Sequence, residues 1–181
     1  MAGLSGKGGI VMQILALIGS PRNQGNTQTL LQAFQEGAEA AGHQLAIFDT
    51  AKMKIGPCLA CDHCRKEATL GICAQKDDMR AIYEAWPRAE ALVLATPLYY
   101  FGFSAQIKLA IDRFYAIPGH KAPTNHLQKM ALLSVCGDAE EDVMDGLLAN
   151  YRLINGYMGV PNAGEVLAIG VYEKGAIQKH P

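Results

Sequence analysis

"QILALIGSPRNQGNTQTL", Gln13 to Leu30, decides the fold. Its first six residues form an apolar run of strand length, and the rest turns into a polar, glycine-marked loop that opens a segment of helical period. A strand that passes through a short loop into a helix is the start of a βαβ unit. Within "GSPRNQGNTQTL", a glycine, small hydroxyl residues and a helix N-terminus combine, so unpaired backbone N–H groups are joined by side-chain donors from Ser20, Asn26, Thr27 and Thr29 and by the charge of Arg22. That combination suits an anion. The same residues would also serve an ordinary strand-to-helix turn capped by Asn or Thr.

The remaining chain repeats the alternation. Strand-length runs at Gln44 to Phe48, Ala91 to Ala95, Lys129 to Val135 and Gly164 to Ala168 are separated by longer segments of helical period. The first helix is expected from about Asn26 to Ala41, ending at Gly42 as a left-handed cap. "KDDMRAIYEAW" gives the second, with Asp77 and Asp78 suited to its N-terminus. Ser104 is the expected cap of the third, which buries Ile107, Ile111, Phe114 and Tyr115, and "AEEDVMDGLLANYRLINGYM" gives the fourth. Five strands and about four helices with right-handed crossovers make a parallel sheet covered on both faces, in strand order 3-2-1-4-5 or 2-1-3-4-5. Both orders bring ligands to the C-terminal ends of the strands.

The first loop has neither the three spaced glycines of a dinucleotide fingerprint nor the Gly-Lys-Ser/Thr of a P-loop, and a monophosphate such as that of FMN suits it better. "TPLYYFGFSAQIK", Thr96 to Lys108, leaves the third strand on an expected proline turn carrying Tyr99, Tyr100 and Phe101, residues that could line a planar ligand or pack in a core. "SVCGDAEED" follows the fourth strand, with Gly137 and Asp138 able to close over one edge of that ligand or simply to start a helix. Cys136 reads as a small buried residue.

The composition excludes several alternatives. At 181 residues, half of them hydrophobic, the chain has the size of one domain with a proper core. With 16 Lys and Arg against 17 Asp and Glu, it lacks the positive excess that nucleic acid binding exploits. "ALVLATPLYYFGF" is too short to span a bilayer and is interrupted by Pro97. Residues 1–11 precede an apparent start at Met12 and are expected to be a disordered extension, with 12–181 a single domain. An odd cysteine count, clustered in one loop, fits a reducing, cytoplasmic setting. The histidines show no ligand pair at i, i+4. "IPGHKAPTNHLQKM" is a proline-punctuated loop placed to cover a ligand or a partner subunit, and beyond Ile169 no periodic pattern remains.

Four of the five cysteines lie in "GPCLACDHCRKEATLGIC", Gly56 to Cys73. Cys58, Cys61 and Cys64 follow C-x2-C-x2-C spacing, with Cys73 further along. Three thiolates so spaced can wrap a compact iron-sulfur cluster that a fourth closes. Redox-active or reduced thiols without metal are a second reading. Zinc, helped by His63, is a third, although structural zinc sites usually draw two well-separated ligand pairs.

"ILALIGSPRNQGNTQTLL", "KIGPCLACDHC", "CAQKDDM", "LVLATPLYYFGFSAQIKLAIDRFY" and "ALLSVCGD", in this order and at these distances, resemble the NADPH-dependent FMN reductase family of flavodoxin-like proteins, and within it the iron-sulfur flavoproteins. The resemblance implies an α/β, flavodoxin-like three-layer sandwich with a five-stranded parallel sheet of order 2-1-3-4-5. It also implies non-covalent FMN and homodimers or homotetramers with the flavin near a subunit interface. Carried over, Ser20, Arg22, Asn26 and Thr27 hold the FMN phosphate, with Gln24 or Gly25 lining the loop. Pro97, Leu98, Tyr99, Tyr100, Phe101 and Gly102 lie against the ring, and Gly137 and Asp138 approach its pyrimidine end. Lys108, Asp112 and Arg113 look more like structural or interface residues than catalytic ones. Cys58, Cys61, Cys64 and Cys73 match the set that binds a [4Fe-4S] cluster in the iron-sulfur flavoproteins, with "RKEATLGI" a longer spacer before the fourth. The implied activity is hydride transfer from NAD(P)H to FMN, then electron release to a small-molecule or redox-protein acceptor, with no side-chain general base. The alternative is an electron carrier reduced by ferredoxin.

Overall fold

The protein is described by a computed structural model covering residues 11–117 and 126–180. Most of the expected N-terminal extension and of the proline-punctuated loop lies outside the described residues.

Apolar runs become a parallel sheet because two helical layers are available to bury its faces. The sheet strands are β1 (Gln13–Ile18), β2 (Gln44–Asp49), β3 (Ala91–Tyr99), a two-residue β4 (Gly102–Phe103), β5 (Lys129–Val135) and β6 (Asn162–Ala168). The helices are α1 (Asn26–Ala40), α2 (Met79–Ala85), α3 (Ala105–Arg113) and α4 (Asp145–Met158). The parallel strands run β2-β1-β3-β5-β6, which is the expected 2-1-3-4-5 once β4, antiparallel to β3, is set aside.

Alternation divides the core into two layers. Leu15, Leu17, Leu92, Leu94, Met130 and Leu132 pack with Ile82 of α2, Ile107 of α3 and Leu147 and Tyr151 of α4. On the other face Ile14, Ala16, Val93 and Leu133 pack with Leu31 and Ala38 of α1. Gly42, at φ +88°, ends α1 as expected, and Gly159, at φ +62°, ends α4.

The structure corrects four expectations. No proline turn leaves β3: the strand continues through Pro97 to Tyr99 and turns back at Tyr100–Phe101 into β4. Pro97 is tolerated because β1 ends opposite Ala95, and Ala95 O accepts from Gly19 N–H on that side. Two residues on, the proline nitrogen faces the same side, beyond the end of β1, so no ladder bond is lost. Helix α2 starts only at Met79, because the carboxylates of Asp77 and Asp78 are drawn to Gly56 N–H (2.9 Å) and Lys54 N–H (2.7 Å). Helix α4 starts at Asp145, with Gly146 pressed so closely on the β3–β4 turn that a Cβ there would lie 2.7 Å from Phe101 O. Tyr115 falls beyond the end of α3 and is exposed rather than core.

Candidate functional site

Three loops meet at the C-terminal ends of β1, β3 and β5. The first, from Gly19 to Gly25, has its shape fixed from behind by α3. Ser104 Oγ donates to Gly19 O (2.7 Å), and Ser104 N–H donates to Thr96 Oγ1 (3.1 Å). Ser104 makes no side-chain cap bond to α3; instead it ties the first loop to β3. Gly19 is required there, since a Cβ would stand 2.6 Å from both Ile107 Cβ and Ser104 Oγ.

Helix α1 opens without a side-chain cap and without an acidic residue in its first turn, so its first N–H groups face the loop unneutralised. Ser20 and Thr27 are buried beside it, while Arg22 and Gln24 are exposed, Gln24 at φ +52°. An uncapped helix start with an arginine in the preceding loop fits a phosphate dianion. Asn26 departs from its expected role. Its Nδ2 donates to Val171 O (2.8 Å) and Glu173 O (2.9 Å), and its Oδ1 accepts from Gly175 N–H (2.9 Å). The side chain is a clasp for the C-terminal segment, and only its backbone N–H remains for an anion.

That segment is the part of the site the sequence reading missed. Tyr172 lies over Gly137, where a Cβ would meet the ring at 2.6 Å, and its carbonyl accepts from Arg22 Nη1 (3.3 Å). The Arg22 guanidinium also stands 5.7 Å from the Tyr172 ring centre. The only local signal was glycine on both sides of "VYEK": Gly170 and Gly175 have positive φ and fold the segment back over α1.

The second loop is a tight hairpin. Leu98 pairs with Phe103 and Tyr99 with Gly102, leaving Tyr100 and Phe101 as a two-residue turn at φ +44° and +61°. A turn of that kind normally carries Asn and Gly. Holding two aromatics there stores strain, and Tyr100 is 100% exposed with Phe101 and Tyr99 also open to solvent. Of the six residues expected along the ring, Pro97 is buried in β3 and Leu98 half-buried against the core, whereas Tyr99, Tyr100 and Phe101 are exposed. The third loop is braced by Asp138, whose carboxylate accepts from Glu140 N–H (3.1 Å) and whose carbonyl accepts from Gly170 N–H (2.6 Å). Cys136 is buried beneath it, and burial pushes its thiol pKa up, as befits an inert residue.

The four clustered cysteines lie elsewhere, between β2 and α2, and all of them line one small cavity with Tyr83 and Arg113. Cys58 and Cys61 are exposed, Cys73 half-buried and Cys64 buried, which raises the Cys64 thiol pKa. Ala60 and Asp62, at φ +49° and +51°, curl the backbone around the cavity. Backbone that alternates into the left-handed region turns successive N–H groups to one side, a concavity found around phosphates and iron-sulfur groups. Among the described residues no three His, Cys, Asp or Glu side chains are gathered closely enough for a single metal ion.

Behind the cavity lies a buried ion pair. Arg113 Nη1 donates to Asp77 Oδ2 (2.9 Å) and Gly56 O (3.0 Å), and Nη2 to Asp77 Oδ1 (3.2 Å). Burial alone would raise the Asp77 carboxyl, but the bonds from Arg113, Gly56 and Met79 overcome it and hold the pKa below the usual carboxylate range. Tyr83 is pushed up to about 12, chiefly by burial, so its neutral hydroxyl donates to Arg113 O (2.9 Å). Arg113 was expected to be structural. It is structural, and it also borders the thiols.

Residues 12–171 match the sequence pattern of the NADPH-dependent FMN reductases. The chain belongs to that family. Within or near it, the chain is 38% identical over 104 residues to an iron-sulfur flavoprotein of Archaeoglobus fulgidus, a stretch that is 58% of this chain and 51% of the relative. It thus spans about half the length of the curated relatives of that kind. YwqN of Bacillus subtilis, named as a candidate NAD(P)H-dependent FMN-containing oxidoreductase, is 29% identical over 164 residues, 88% of this chain and 86% of that protein. An NAD(P)H:quinone oxidoreductase from Methanothermobacter marburgensis has the same fold, with a TM-score of 0.75, 21% identity, and coverage of 94% and 90% of the two chains. No helix among the described residues is long and apolar enough to cross a membrane.

Proposed function

We propose that the protein is an NAD(P)H-dependent oxidoreductase that binds FMN at the three loops and passes electrons to a small-molecule or redox-protein acceptor. The observation that carries this reading is the uncapped, carboxylate-free start of α1 beside Arg22 at the ends of β1 and β3, in a chain of the FMN reductase family. The N–H groups of the first turn of α1, Ser20, Thr27 and Arg22 hold the phosphate, with Gln24 and Gly25 shaping the loop. Pro97 to Gly102 support the ring from one side, and Gly137, Asp138 and Tyr172 bound it on the other. Bound FMN would supply the hydride-accepting centre. The polypeptide's part is to orient it and exclude water, and no side chain at the site is needed as a general base.

The cysteine loop holds a [4Fe-4S] cluster on Cys58, Cys61, Cys64 and Cys73 in this reading. Support comes from the four thiols around one cavity, the curled backbone and the names of the matching relatives. The reducing, cytoplasmic setting suggested by the cysteines accompanies it, as does assembly into homodimers or homotetramers. The test is FMN uptake: apoprotein mixed with FMN should become yellow and keep the flavin through gel filtration, and Arg22→Ala should weaken retention. Protein that takes up no FMN would refute the reading.

A further inference from the structure

The cysteine cavity has one cationic wall whose hydrogen bonding is incomplete. Arg113 is 2% exposed, and its two terminal nitrogens are used by Asp77 and Gly56. Its Nε–H is buried and makes no well-formed hydrogen bond, with the Tyr83 hydroxyl, already bonded to Arg113 O, the polar neighbour of the guanidinium. A buried guanidinium donor left unpaired is rare in folded proteins and points to an acceptor outside the polypeptide. Arg113 lines the same cavity as Cys58, Cys61, Cys64 and Cys73. Asp77 cancels part of the positive charge from behind, but it does not redirect Nε–H. The other charges near the cavity are Arg65, 3.9 Å from the Tyr115 ring centre, and Asp62, which accepts from Tyr115 Oη at 3.4 Å. Both lie toward the exposed rim.

We infer that Arg113 is a positioning residue for the four-cysteine site: its Nε–H donates to an anionic sulfur of the group held there and so favours that group's reduced, more negative state. The inference rests on the cluster reading above. The step is a one-electron reduction, with the electron drawn from the reduced FMN of the proposed activity, which can give up its two electrons singly, or, in the test, from dithionite. No bond forms or breaks. The group gains one negative charge, which a fixed charge-assisted donor stabilises more than it stabilises the oxidised state.

The test is a dithionite titration of anaerobically purified, flavin-loaded protein, followed by the paramagnetic resonance of the reduced cluster. Replacing Arg113→Gln together with Asp77→Asn removes the pair without stranding a charge. The reduction equilibrium constant should fall about tenfold, which is ~59 mV toward lower potential for a one-electron couple. Arg113→Lys, which keeps the charge and loses the fork, should give a smaller drop in the same direction, and it decides the matter if the double variant does not fold. Iron-bearing variants whose potential stays within about twofold of the wild-type equilibrium constant would overturn the role of Arg113 while leaving the cluster reading standing. Wild-type protein that neither contains iron nor takes it up with sulfide would overturn the cluster reading and this inference with it; FMN reduction by NAD(P)H is measured separately.

Discussion

The phosphate loop and the cysteine loop are both polar segments that leave a strand, yet they are held in opposite ways. The first is short and pinned at every turn: Ser104 ties Gly19 from below, Gly25 N–H bonds to Arg22 O (3.2 Å), and α1 begins at once. The second crosses from Asp49 to Met79 with only two short 3-10 turns, and it exposes Leu59, Leu70 and Ile72. Besides side-chain ties such as Lys54 N–H to Asp78 and Arg65 over Tyr115, it is fastened to α3 by the Arg113–Asp77 pair, whose arginine is buried. Helix α3 serves both, with Ser104 at its start under the phosphate loop and Arg113 at its end against the cysteines. One loop draws its form from regular elements. The other draws it from scattered side-chain contacts, of which the Arg113–Asp77 pair is the one with a buried charge.

The sharpest way to break that contrast is to remove the anchor. Asp77→Ala strands a buried guanidinium and should lower stability by about 3–5 kcal/mol in urea unfolding, with the thiols of the cysteine loop becoming the first to react with a bulky reagent. An unchanged midpoint would mean that the loop is held by something else. The same pair sets a pH dependence. Because the folded Asp77 pKa is lowered, its contribution is complete above the ordinary Asp value of about 3.9 and is lost as pH falls through the lower folded value. Wild-type stability should therefore decline below about pH 4 more steeply than that of Asp77→Asn.

The phosphate side should be less fragile and fail piece by piece. Asn26→Ala removes the clasp and leaves Val171 O, Glu173 O and Gly175 N–H without it, for a loss of about 2–3 kcal/mol at roughly 1 kcal/mol per bond. Limited proteolysis should then cut first after residue 170, and retention of FMN should drop with it. Gly19→Ala, which forces a methyl against Ile107, should cost about 1–3 kcal/mol. The smallest effect is expected at the hairpin. Placing glycine at Tyr100 relieves positive φ and should raise stability by up to about 1 kcal/mol. If FMN affinity falls at the same time, the strain is held for the flavin.

Much of this was legible in the sequence where local pattern and tertiary need coincide. The apolar runs of β1 and β5 lie where their periodicity put them, because a parallel strand buried on both faces has little else to be, while β2, at the sheet edge and without a fully buried residue, is placed by its pairing with β1. That the loop after β1 runs straight into a helix start was readable because a glycine and a helix start are local features. What was not legible depends on distant partners. Asp77 reads only as an acid suited to the start of a helix, and its pairing with Arg113, 36 positions away, has no sequence signal. Asn26 reads as a phosphate ligand until the segment at 171–177 occupies its amide. Tyr172 carries no motif and becomes part of the site only because Gly137 leaves room for its ring. Pro97 suggests a turn until the shorter β1 is known to leave its nitrogen without a partner.

The central claim is that the three loops make a flavin site that nicotinamide can reduce. Flavin-loaded protein should be mixed with NADPH, and separately with NADH, under strict anaerobiosis while the visible flavin absorbance is followed. Prompt bleaching with at least one of the two nucleotides is the predicted result. Flavin that stays oxidised with both, yet bleaches with reduced ferredoxin, would contradict the claim and make the protein an electron carrier.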